Sequence, residues 1–203
     1  MDGHDTGRND PKATLRQYLQ EARDALLWKL EGLPEYDIRR PLVPTGTNLL
    51  GLLKHLAFVE FVYFGTTFGR PSPDEPPWSD DDPMFDMFAA SDESREDIVG
   101  LYRKACAHSD ATIEALPLDA TGVVPHWSAP GNEVTLHRIM VHVISDSQRH
   151  AGHADIVREL IDGAVGMIKG NTNLPDEFSW KDHFDRVEQT ARQAQERAAG
   201  TQR

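Results

Sequence analysis

The sequence is short of cysteine, of positive charge and of long apolar runs, and each shortage excludes something. One cysteine, Cys106, among 203 residues rules out an intrachain disulfide and fits a reducing, cytoplasmic setting. Lys and Arg total 21 against 33 Asp and Glu, a net charge of -12. That balance serves solubility and argues against nucleic acid or an anionic membrane as the main partner, since both need Lys and Arg. No apolar run approaches the roughly 20 residues that cross a bilayer. The N-terminus, Met1-Asp2-Gly3-His4-Asp5, is polar and acidic, without the basic and apolar regions of a signal peptide. Convincing strand patterns and internal repeats are missing too.

What remains is a chain long enough to bury one core without staples, with 39% apolar and 27% charged residues, as soluble globular domains have. Residues 1–9 read as a disordered leader. Asp10-Pro11 offers an N-cap and a proline at the first helical position, and Leu15, Leu19, Ala22, Leu26, Leu27 and Leu30 follow at helical spacing until Gly32 and Pro34. Residues 34–46, with three prolines, read as a loop. Thr47 or Asn48 caps a second, very apolar helix that Gly65 to Gly69 end. The proline- and aspartate-rich stretch from Arg70 to Pro83 reads as a long loop, a length usually reserved for function or disorder.

Ser91 or Asp92 opens a third helix, which Pro117 stops, and Glu133 to Asp162 forms the fourth and longest, closed by Gly163. Four amphipathic helices without strands predict an all-α four-helix bundle over residues 10–165. Residues 166–203 read as a C-terminal extension whose polar segment Ser179 to Ala199 forms an extra amphipathic helix.

The fourth helix carries the chemistry. On a wheel of about 100° per residue, Leu136, Ile139, Val143, Ala154, Val157 and Ile161 form an apolar stripe. His150 falls near its centre and Asp146 within about 60°. His142 and His153 flank it, as surface groups or partners of the first two. A carboxylate on such a stripe must pair, protonate or bind a cation. Residues four apart on a helix can share one metal, and His and Asp suit Zn²⁺ and related ions. A third ligand would come from a facing helix, and His55, in Leu52-Leu53-Lys54-His55-Leu56, is the candidate. Two histidines and one carboxylate leave coordination positions open, the catalytic rather than the structural pattern. The plainer reading, that Asp146 and His150 simply pair and His55 is a core histidine, stays open at this point. Cys106, on the third helix without a nearby base in sequence, reads as packing.

The segment from Leu136 to Gly163, containing Asp146-Ser147-Gln148-Arg149-His150-Ala151-Gly152-His153, resembles the last bundle helix of the DinB/YfiT-like metalloenzyme superfamily. Leu49-Leu50-Gly51-Leu52-Leu53-Lys54-His55-Leu56-Ala57-Phe58-Val59-Glu60 resembles its second helix. The likeness runs over roughly residues 11–165, nearest to an actinobacterial-type branch related to mycothiol-dependent maleylpyruvate isomerases and mycothiol S-transferases. It implies an up-down-down-up bundle, often a homodimer, with a divalent metal on His55, Asp146 and His150. Zinc leads, with nickel or another ion as alternatives. Asp146 is a departure: many members have His there and this branch typically Glu.

The activity implied is transfer or isomerisation of a small electrophile with a thiol such as mycothiol, bacillithiol or glutathione. No general base is assigned. His142, His153, Arg149 and the 70–90 loop are candidates to line the site. Metal-assisted hydrolysis of a small molecule and a non-catalytic metal-binding stress-response or interaction module are the alternatives.

Overall fold

A computed structural model describes residues 10–78, 81–172, 174–175 and 177–200; the expected leader, residues 1–9, lies outside them. The chain is all-α apart from one small hairpin. Helix α1 is Pro11–Trp28, α2 the short Glu35–Arg39, α3 Leu49–Glu60, α4 Arg95–Ala115, α5 Leu136–Asp162 and α6 Trp180–Gly200, while β1 (Thr121–Val123) and β2 (Glu133–Thr135) lie between α4 and α5. In the bundle α1 packs on α5 and α3 on α4, with α5 also meeting α3.

The helix starts follow local chemistry. Asp10 accepts from the Lys12 amide beside Pro11, and the Asn48 side chain accepts from the Gly51 amide at 2.8 Å. Ser94 and Asp97 form a capping box. Each satisfies an amide that the first turn leaves without a partner. Gly163 ends α5 at φ 76°, a left-handed conformation that glycine adopts without strain.

Some boundaries differ from expectation. The 34–46 loop contains α2, whose first turn carries Glu35 and Asp37, favourable at a helix N-terminus. The third bundle helix is capped by Ser94 rather than Ser91 or Asp92. Helix α5 starts at Leu136 with Thr135 as its cap, because Glu133–Thr135 pairs antiparallel with Thr121–Val123. The stretch Leu49–Phe68 is, at 20 residues and a mean hydropathy of 1.3, long and apolar enough to cross a membrane by composition, contrary to the expectation that no run approaches that length. Its character has a local cause: 83% of the window is buried inside the protein, and Leu53, Leu56, Phe61 and Phe64 are fully enclosed.

The chain divides into two compact units after Thr172. In the second, α6 carries ion pairs one turn apart, Lys181 with Asp185 and Arg192 with Glu188, the support a largely exposed helix needs. Phe178, Trp180 and His183 stack edge to face before and within its first turn.

Candidate metal centre and its cavity

Two helices supply three donor groups to one place. His55 leaves the middle of α3, and Asp146 and His150 leave α5 one turn apart; one ligand atom from each lies within 4.8 Å of the other two, a spacing that could hold a metal ion. The His55 and His150 rings meet edge to face at 5.0 Å. The side chains are partly rather than fully buried, at 25% exposure for His55, 29% for Asp146 and 14% for His150. They therefore sit at the mouth of the bundle, not in its centre.

The simple pairing of Asp146 with His150 does not account for the cluster. Asp146 Oδ1 and His150 Nε2 are 3.7 Å apart, too long for a hydrogen bond. His150 Nδ1 is buried with no hydrogen-bond partner among the described residues, an omission that native interiors rarely tolerate. Burial, then repulsion from His55, lowers the His150 pKa, and Asp146 opposes the shift. The ring is thus neutral near pH 7, as a metal ligand must be.

Asp86, which sequence reasoning missed, completes the set. Its Oδ2 lies 2.8 Å from His55 Nδ1, and it is only 4% exposed. A carboxylate on one ring nitrogen fixes the ring's orientation and leaves the other nitrogen free, the usual arrangement behind a metal-binding histidine. Asp86 is held there by the way its loop crosses α3. A Cβ on Gly51 would stand 1.9 Å from the Met87 carbonyl oxygen, so only glycine admits that crossing. Asn48 Nδ2 donates to the same oxygen at 3.2 Å, and Lys54 Nζ donates to Phe88 O at 3.2 Å and to Glu93 at 2.8 Å.

A cavity of about 650 Å³ opens beside the cluster, and His55, Asp86 and Asp146 line it. One wall is aromatic, with Phe58 and Trp78, and Phe85 packs edge to face on both, 5.0 Å from each. A second wall joins Tyr63, His126 and His142, and the Trp127 ring packs on Tyr63 and His142. Tyr63 Oη lies 3.2 Å from His126 Nε2, and the Tyr63 and His142 rings are 4.7 Å apart. Tyr63 sits in a wider π-helical turn, Phe61–Gly65, that continues α3, a distortion often found at functional sites. Burial lowers the pKa of both His126 and His142 and raises that of Tyr63, so this wall holds two neutral imidazoles and a neutral phenol.

Of the residues expected to line the site, His142 and the 70–90 loop do so. His153 and Arg149 are exposed and do not line the cavity, though the His153 ring is 5.5 Å from that of His150. Cys106 lies apart, largely enclosed, its thiol pKa pushed up by burial and then by Glu60, as an inert packing cysteine requires.

The geometry meets its context in the comparisons. A family model described as mycothiol-S-transferase matches residues 14–163. The chain belongs to that family. The match contains His55, Asp86, Asp146 and His150 and every residue that lines the cavity. The crystal structure of the conserved protein of locus from Enterococcus faecalis superposes with a TM-score of 0.54 at 14% identity, over 76% of this chain and 96% of that one. At that identity the likeness speaks to the fold alone: a DinB-like bundle. No curated protein matches the chain. Membership of the mycothiol S-transferase family carries a small-molecule transferase theme and leaves the particular reaction to be argued.

Proposed function

We propose that this protein is a divalent-metal-dependent S-transferase that joins a low-molecular-weight thiol of the mycothiol type to a small electrophile. One observation carries the reading: His55, Asp146 and His150 converge within 4.8 Å at the edge of a cavity of about 650 Å³, inside the span that matches the family. The donor set fits a divalent ion. It has two imidazoles and one carboxylate, and it contains His150 Nδ1, which has no partner among the described residues. Zinc suits these ligands. A divalent cation there would supply the charge that keeps a thiol deprotonated near neutral pH.

The chain's own residues do the rest. Asp86 holds the His55 ring in place. Phe58 and Trp78 line the cavity with apolar surface and exclude water from the reacting sulfur, which preserves its nucleophilicity. With a halide-bearing electrophile, the sulfur lone pair forms the C–S bond while halide departs with its bonding pair. The thiol proton passes to neutral His126 or His142, both of which face the cavity, and then to solvent.

The test is turnover of an aryl halide by metal-loaded protein with and without mycothiol. Consumption that requires the thiol supports the transferase. Consumption unchanged when the thiol is omitted contradicts it and points to hydrolysis on the same ligands.

A further inference from the structure

The cavity is charged on one side only. None of its lining residues is Lys or Arg, whereas Glu75, Asp86 and Asp146 all contribute carboxylates. The sequence around Glu75 repeats the bias: between residues 71 and 90 it has six acids, Asp74, Glu75, Asp80, Asp81, Asp82 and Asp86, and no basic residue. Two of the lining carboxylates have work already, since Asp86 is hydrogen-bonded to His55 and Asp146 belongs to the donor cluster. Glu75 differs. Its Oε2 accepts from the Thr66 hydroxyl at 3.2 Å, a neutral donor that leaves the charge uncompensated. Around it the cavity is apolar and aromatic, with Pro76, Phe58 and Trp78 on the same lining. Trp78 is 59% exposed, so its ring is accessible to a ligand entering the cavity.

A carboxylate that shares a cavity with an exposed aromatic ring is an arrangement that recognises an organic cation. The ring faces attract an ammonium, the carboxylate completes its charge, and the negative loop raises its local concentration. An anionic ligand meets the reverse, a desolvated site without a basic side chain to pair it. We propose that the electrophile-binding part of this cavity selects flat, apolar compounds bearing an amine or quaternary ammonium group, with Glu75 as the specificity-determining residue and Trp78 as the exposed ring on which the cation rests. This rests on the reading of the cavity as the acceptor site, but its test does not depend on turnover or on the metal.

The experiment measures dissociation constants by ligand-observed NMR for three probes of matched shape: benzyltrimethylammonium, benzyl alcohol and phenylacetate. It uses the full chain, both as purified and after removal of metal by a chelator. The expected result in both preparations is about a tenfold gap in favour of ammonium over alcohol, and in the metal-free preparation the carboxylate binds weakest. Glu75→Gln removes the ammonium–alcohol gap and leaves benzyl alcohol unchanged. Asp74→Asn, whose acid pairs with Lys104 at 2.7 Å outside the lining, keeps the gap. Equal affinities of ammonium and alcohol, tightest binding of phenylacetate in the metal-free preparation, no measurable binding of the ammonium probe, or a gap that survives Glu75→Gln each overturns the proposal. Metal retention by variants of His55, Asp146 and His150 decides the metal reading separately, so either can fail alone.

Discussion

Two of the bundle's polar clusters, one buried in the interior and one at its mouth, are built on opposite principles. In the first, Arg23 of α1 donates to both oxygens of Glu60 on α3, at 2.8 and 2.9 Å, and to Asp110 of α4 at 2.8 Å. Arg23 is 2% and Glu60 1% exposed. Burial alone pulls the Arg23 pKa down, and Glu60, by charge and by hydrogen bond, more than reverses it. The cluster is closed: every charge has its partner in good geometry, and the cluster ties three helices together. In the second, His55, Asp146 and His150 approach without satisfying one another. Their closest charged contact is 3.7 Å, one ring nitrogen is buried with no partner among the described residues, and the only short bond, to Asp86, holds a ring in position. A closed cluster stabilises a fold. An open one of this composition could hold a metal ion, as the proposed function requires.

The largest expected effect separates the two in stability. Glu60→Ala leaves the buried Arg23 guanidinium uncompensated and is expected to cost about 3–5 kcal/mol in denaturant unfolding. His150→Ala in metal-free protein removes a ring whose Nδ1 has no hydrogen-bond partner among the described residues and is expected to change stability by about 1 kcal/mol or less. Equal losses would erase the distinction.

Metal affinity reverses the ranking. Asp86→Ala frees His55 Nδ1 and is expected to weaken zinc binding about 10- to 100-fold, as read by competition with a chromogenic chelator. Gly51→Ala is expected to act in the same direction through the Met87 carbonyl, which the added methyl group would displace. Exposed Asp74→Ala serves as the control, with affinity unchanged.

How much of this was legible in the sequence depends on how local its cause is. The bundle helices announce themselves through caps and spacing, as with Asp10-Pro11 and Gly163. Asp146 and His150 stand out because a helix puts residues four apart on one face, and His55 because an imidazole in so apolar a helix needs a reason. The hairpin was illegible: strands of three residues each are too short for an alternating pattern to register. Asp86 was illegible for a different reason. It is one of six acids between residues 71 and 90, and what selects it is the passage of its loop over Gly51, a tertiary contact without a local signature. Tyr63 lies in the apolar run Phe61-Val62-Tyr63-Phe64, which hides its hydroxyl, and nothing along the chain marks His126 as its partner.

A smaller effect concerns pH. Burial lowers the pKa of His126, His142 and His150 in the folded chain below the ordinary value of 6.5. The unfolded chain therefore takes up these protons first as pH falls. Above about 6.5 both states are neutral at these rings and stability is unaffected. Below it, stability of the metal-free protein is expected to decline until pH has passed through the lowered folded values. Thermal unfolding midpoints measured from about pH 7.5 down to about pH 5 check the slope. His150→Gln is expected to reduce it.

The smallest expected effect is at Asp146, where the superfamily branch that this sequence resembles typically has Glu. Asp146→Glu keeps a carboxylate one turn from His150 and is expected to retain the metal, which affinity measurement beside the wild type would show.

Elemental analysis of the protein purified without a metal-affinity tag and supplied with zinc tests the central claim most directly, with His55→Ala, Asp146→Ala and His150→Ala alongside. The account predicts about one metal per chain in the wild type, lost from each of the three variants while they remain folded. A wild type that carries no metal, or three variants that all keep it, would contradict the account.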